Sequence, residues 1–194
     1  MRLSYKLRVN AALCENRAMN KVENRKLFEA IENNDWETIE NILDIHPDEV
    51  DVYGFANRYC RDKTPLMYSL QCENFAIARK IIARGAKVDA KMSGGPESSV
   101  LALAANVGHG LNPKFEEWVT FVSELIGKGA NPTDGLWPAL ASYKDGRAEM
   151  IKLLVENRAD LDSSIQAGNI RELVKTNRQL YSVEILILFE INSS

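Results

Sequence analysis

Histidine and cysteine are the residues of this chain best suited to nucleophilic, proton-transfer or metal chemistry, and their spacing argues against all three. His46 precedes Pro47 at the close of an apolar-periodic stretch, and His109 follows Gly108. Neither has a cysteine or second histidine at the short separations that pair zinc ligands, so no metal site is expected. Cys60 falls in an expected loop and is a candidate reactive thiol, yet no local signature assembles a Cys-His-Asn arrangement around it. Gly94-Gly95 lacks both the Walker lysine pattern and the dinucleotide glycine spacing, and reads as a flexible loop tip. No cofactor is implied. Because an activity has to be argued from a site, the chain is read as non-catalytic.

Recognition chemistry has better material. The stretch from Asp51 to Asp62 concentrates Tyr53, Phe55, Arg58, Tyr59 and Arg61. Tyrosine and arginine dominate interface hot spots, because one brings a rigid amphipathic ring and the other a planar fork of donors. The plainer reading is that one of these rings folds back onto neighbouring helices, since tyrosine packs as readily as it binds. Trp137, after Gly135-Leu136, has the same ambiguity. Trp118 reads as a packing residue.

The elements that must hold these side chains are helix pairs. Thr64 suits an N-cap, where its hydroxyl accepts from a free backbone N–H. Pro65 suits the first helical position, where its missing N–H costs nothing. A helix then runs to about Cys72, and Glu73-Asn74 form a tight turn. A second helix from Phe75 carries Ile77, Ala78, Ile81 and Ile82 on one side, and Gly85 closes it with a left-handed residue. Lys87-Val88-Asp89-Ala90 leaves as an extended arm. The pattern returns at Ser99 to Asn131, with Gly108-His109 between the helices and nine extra residues near Gly110–Glu117. It returns again, more weakly, at Trp137 to Asp162. There Trp137 replaces the capping threonine and Arg158 stands where glycine is expected, so Arg158 needs either a positive φ or a different helix ending.

Thr64-Pro65-Leu66-Met67-Tyr68-Ser69 and Gly85-Ala86-Lys87-Val88-Asp89-Ala90 resemble the opening and close of an ankyrin repeat, whose period is about 33 residues. The resemblance covers roughly residues 27–188. It implies an all-α solenoid of stacked helix-turn-helix units with finger loops. The expected organisation is an N-terminal helical extension over 1–24 and a repeat domain over 25–194. That domain divides into a cap at 26–51, repeats at 59–90, 94–131 and 132–162, and a C-terminal cap at 163–191. Leu27, Phe28, Ile31, Trp36, Ile39, Ile42 and Leu43 form the first cap's helix pair. Ile165–Val174 reads as a truncated repeat, and Tyr181–Ile191 as a last helix shielding the stack, with a β reading open for so branched a run. In the extension, Leu3, Leu7, Val9 and Leu13 suggest a short basic helix, read as an extra cap or the end of an upstream domain because its apolar face is small for a membrane surface.

Ankyrin arrays act as binding scaffolds, so the resemblance implies a protein partner docked on finger loops and first-helix surfaces. The implied contact residues are Tyr53, Phe55, Arg58, Tyr59, Arg61, Lys63, Gln71, Asn106, Asp134, Leu136, Trp137 and Lys144. The net charge of −3 conceals a basic stretch at 1–26 (seven Lys/Arg, two Glu) followed by nine Asp/Glu and no Lys/Arg over 27–51. That acidic block reads first as the solvated face of the cap, second as a surface for a basic partner. The acidic balance and the lack of a basic-aromatic motif argue against nucleic acid. No window is long and apolar enough for a membrane span, and the N-terminus lacks the apolar core of a secretion signal. Three irregularly spaced cysteines fit a reducing, cytoplasmic compartment. Two rival readings are a substrate-recruiting domain of a larger bacterial effector enzyme, acting on a host protein after secretion into the host cell, and an inhibitor or immunity protein bound to an enzyme.

Overall fold

The computed structural model describes residues 18–55, 59–92, 99–106, 113–141 and 148–191, with residues 190 and 191 described by their backbone alone. The helical expectation for the N-terminal extension falls on residues 1–17, outside this set. The chain divides after Ala86 into two compact units.

The N-terminal unit holds two helix pairs. Helix α1 (Lys21–Glu32) opens with a capping box: the Asn20 side chain accepts from the backbone N–H of Val22 and Glu23, and Glu23 accepts from that of Asn20. The helix thus starts five residues before the expected edge of the cap at 26. Asn34 takes a left-handed φ of 57°, and Asp35 then caps α2 (Trp36–Ile45) by accepting from Thr38 N–H at 3.1 Å. The second pair repeats this chemistry. Thr64 caps α3 (Pro65–Gln71), accepting from Met67 N–H, and Pro65 is its first residue. Glu73 is left-handed at φ 51°, and Asn74 caps α4 (Phe75–Ala83). The two turns meet, because Asn74 Nδ2 donates to Asn34 Oδ1 at 3.0 Å. Helix α1 packs on α3. Leu27, Phe28, Ile31, Ile39, Leu43, Leu66, Met67, Leu70, Ile77 and Ile81 are buried between the pairs. On the other side, Arg84 reaches Asp44 at 2.7 Å and Glu40 at 3.1 Å, and stands with Lys80 over the Trp36 ring.

The C-terminal unit holds three more pairs. Ser99 caps α5 (Val100–Ala105), accepting from Ala102 N–H at 3.0 Å. Helix α6 (Phe115–Gly127) is 13 residues long against nine for α4, so four of the nine inserted residues lengthen the second helix. Residues 107–112, with His109, lie outside the described set. The segment expected to form a third repeat departs from expectation. Helix α7 spans Thr133–Ala141 and contains Pro138, so Trp137 is a residue within the helix and not its cap. Asn131 supplies the earlier start, its side chain accepting from Thr133 N–H at 3.1 Å. Helix α8 (Ala148–Glu156) follows. Within the unit α5 packs on α7 and α6 on α8. Gly135 permits close approach, since a Cβ there would sit 3.1 Å from Ala105 Cβ and 3.2 Å from Leu154 Cδ2.

Three second helices end identically. Gly85 N–H donates to Ile82 O and Ala86 N–H to Ile81 O; Gly129 and Ala130 do the same to Ile126 and Leu125, and Arg158 and Ala159 to Val155 and Leu154. Gly85, Gly129 and Arg158 have φ of 94°, 99° and 67°. Arg158 therefore takes the left-handed alternative, with the hydrogen bonds of the closure offsetting the side-chain strain.

Residues 164–169 depart from a purely helical reading. Ser164–Ile165 (β1) pairs antiparallel with Gly168–Asn169 (β2), in the register Ser164 to Asn169. Gly168 at φ 127° allows the turn back, and Asn169 then caps α9 (Ile170–Thr176). Helix α10 (Val183–Ile191) resolves the last apolar run in favour of helix. Ile185 and Phe189 are buried, while Leu180, Val183 and Ile187 remain exposed. Arg171, only 8% exposed, ties this end together. It makes a fork to Asp162 at 2.6 and 3.0 Å and donates to the Phe189 carbonyl at 2.6 Å.

Those hydrogen bonds hold the Asp162 carboxyl below the usual carboxylate range. A lowered folded value means the stabilisation is complete above the unfolded pKa of about 3.9, and is lost as pH falls through the folded value. Docking of α10 is therefore expected to stay constant from about pH 7 to about pH 5 and to loosen below about pH 4. Amide hydrogen exchange at Ile185–Phe189 measures this, and loosening near neutral pH would contradict it.

Candidate functional site

The loop from Asp51 to Lys63 is built on a buried asparagine. Asn24 lies on the same face of α1 as Leu27, Phe28 and Ile31, and is fully buried. Its Nδ2 donates to Tyr53 O at 3.1 Å and its Oδ1 accepts from Phe55 N–H at 3.4 Å. Both ends of a desolvated amide are thereby satisfied by the loop backbone, which fixes the loop to the helix. Gly54 extends the frame: its N–H donates to Lys63 O at 2.9 Å and its carbonyl accepts from Asp62 N–H at 3.1 Å. Asp62 has a left-handed φ of 62°, and Lys63 Nζ donates to Tyr59 O at 2.8 Å.

This frame leaves Tyr53, Phe55 and Tyr59 45, 43 and 53% exposed. Arg61 is exposed beside them and Lys63 half-buried. Gln71 is exposed at the last residue of α3. These six residues lie in one unit. Arg58 lies outside the described residues. Cys60 faces inward at 0% exposure, which corrects the reactive-thiol expectation, because a thiol closed off from solvent is screened from reagents. Cys72 is half-buried, and burial first, then the Glu32 carboxylate, raises its pKa. Burial also raises that of Tyr68, whose hydroxyl donates to Glu32 at 3.3 Å.

A Cβ on residue 54 would lie 2.5 Å from the Cys60 carbonyl oxygen and 2.9 Å from Phe28 Cζ. The carbonyl is backbone and cannot yield without breaking the loop's frame. Gly54→Ala is expected to destabilise the N-terminal unit by about 1–3 kcal/mol, read by denaturant unfolding. An unchanged midpoint would show the loop to be pliant.

The other expected contact residues lie in the C-terminal unit. Asn106 is exposed as the C-cap of α5. Asp134 and Trp137 are half-buried, three residues apart on α7, and border a groove of about 180 Å³ closed on its far side by the 163–166 segment and Ile170. Asp134 lies 4.0 Å from Lys91 Nζ. Leu136 is fully buried. The early start of α7 puts it on the helix face shared with Ala139 and Leu140, so it is corrected from contact residue to core. Lys144 lies outside the described residues. Trp118 is buried as read.

Sequence reasoning missed Asn24, Gly54 and Arg171. Asn24 had a signal, since it continues the 27, 28, 31 spacing toward the N-terminus; its polarity hid it. The acidic block is partly occupied from within. Arg84 engages Glu40 and Asp44, Arg25 engages Glu29, and Glu49 accepts from Met19 N–H. Among the described residues no group of three His, Cys, Asp or Glu is placed to hold a metal ion, and no helix is long and apolar enough to cross a membrane. No protein-family model matches the sequence, and a search of curated proteins finds no match either.

Proposed function

We propose that the chain is a non-catalytic protein-recognition module of the ankyrin-repeat kind, which binds a folded protein through its finger loops and the adjoining first-helix surfaces. The observation that carries this reading is the 51–63 loop. It exposes three aromatic rings and Arg61 on a backbone fixed by Asn24 and Gly54. A loop backbone fixed before binding loses little entropy on contact, which is how a small patch gains affinity. The identical closures at Gly85, Gly129 and Arg158 support the repeat reading, since they recur at the same point after three of the second helices. The same surface would serve a recruiting domain within a larger effector enzyme. The inhibitor reading has less support, because Arg84 already neutralises part of the acidic block.

The test is the triple replacement of Tyr53, Tyr59 and Arg61 by alanine. Once a partner is identified by cross-linking and mass spectrometry, the triple variant is expected to bind about thirtyfold or more weakly. Its unfolding midpoint should move little, as surface truncations usually cost under about 0.5 kcal/mol each. Unchanged affinity in a folded variant would remove the loop from the interface.

A further inference from the structure

The chain carries two partly exposed tryptophans with carboxylates nearby, and one of them displays its chemistry internally. Trp36 on α2 has Lys80 Nζ 4.7 Å from its ring centroid and the Arg84 guanidinium at 5.7 Å. Arg84 is anchored at the same time by Glu40 and Asp44. An indole face beside a carboxylate is thus a cation receptor in this protein. Trp137 stands in a comparable setting on α7. Asp134 precedes it by three residues, on the same helix face, and both border the groove. Pro138, Ile165 and Ile170 supply apolar walls, with Gln166 at the rim. Its volume of about 180 Å³ exceeds the ~150 Å³ cavity that accepts a benzene ring, so it suits one long side chain.

We propose that this groove takes an arginine side chain of a protein partner. The proposal rests on the recognition reading above and names one chemistry that the module selects. The aliphatic stem lies on Pro138, Ile165 and Ile170. The guanidinium stacks on the Trp137 indole and forks toward the Asp134 carboxylate. Arginine is favoured over lysine because a planar, weakly hydrated cation can stack and bond at once. Lys91, 4.0 Å from Asp134 and half exposed, is the chain's own competitor for that carboxylate.

The test needs no protein partner. The ¹⁵N-labelled full chain is titrated with N-acetyl-arginine amide, following the indole N–H resonances, with Trp137→Phe to assign the signal. The uncharged citrulline analogue and the lysine derivative serve as controls. The expected result is a saturable shift of the Trp137 resonance with arginine, absent with citrulline and weaker with lysine. Asp134→Asn should weaken binding roughly two- to fivefold, and Lys91→Ala should strengthen it by removing the competing ammonium. A still Trp137 resonance, citrulline or lysine binding equal to arginine, or an unchanged affinity in Lys91→Ala would overturn the proposal; the last holds even if Asp134→Asn fails to fold. The Tyr53/Tyr59/Arg61 triple variant should titrate like the parent chain. Failure of the arginine site and failure of the loop interface are therefore separate results.

Discussion

Truncating Phe28 to alanine is expected to cost the N-terminal unit about 3–5 kcal/mol and to release the recognition loop with it. Phe28 is 1% exposed and lies 5.4 Å, centroid to centroid, from Tyr68, at a tilted angle. Removing the ring loses its transfer free energy and leaves a cavity that α1 and α3, already packed together, cannot close. Its Cζ also bounds the space above Gly54, so the same ring is the floor on which the loop turns. Global unfolding in denaturant measures the first effect. Hydrogen exchange at Gly54 and Asp62, whose amides donate within the loop, measures the second. If stability falls and those amides keep their protection, the loop is held by Asn24 alone.

Arg171→Leu is expected to free the C-terminal helix at a cost of about 2–4 kcal/mol. The substitution preserves an apolar stem but leaves the Phe189 carbonyl without its charged donor. A charge-assisted bond is worth about 1.5–3 kcal/mol, and a stranded buried acceptor adds its desolvation penalty. The Asp162 arm faces solvent and is discounted. The expected signature is rapid amide exchange over residues 185–189 with the α5–α8 amides still protected. Arg171→Lys should recover part of the loss, because an ammonium can reach one acceptor but not fork to both. Full stability in the leucine variant would show that Ile185 and Phe189 dock the helix unaided.

The pieces legible in the sequence were those written in local chemistry. Thr64, Pro65, Asn74 and Gly85 act through bonds within a few residues, and each does what its type dictates. The apolar run at 183–191 was legible as a helix because a shielding role required one. Trp137 was misplaced because Pro138 looked like a first-turn proline, while the earlier Asn131 cap sets the start of α7. Leu136 followed it from surface to core. The hairpin at 164–169 is only two residues a side, too short to leave a periodicity. The bonding roles of Asn24 and Arg171 were illegible for another reason, although the spacing of α1 places Asn24 on its buried face. Their distant partners are backbone atoms at Tyr53, Phe55 and Phe189, between 18 and 31 positions away, and nothing in the sequence announces a contact between a side chain and a distant backbone group.

The three identical closures carry a consequence for how such a chain can change. Each of these three helices terminates its own backbone bonds within six residues, as from Leu125 to Ala130, and asks nothing of the segment that follows. Length can therefore be added between helices without unsettling the bonds that define them. Each doubling of a connecting segment costs only about 0.6 kcal/mol in closure entropy. The nine additional residues between Ser99 and Gly129 lie upstream of such a closure, four of them lengthening α6, and the bonds at Gly129 and Ala130 are the same as at Gly85 and Ala86. New segments can be grafted at the same junctions, and the helix pairs on either side should remain indifferent to what is placed between them.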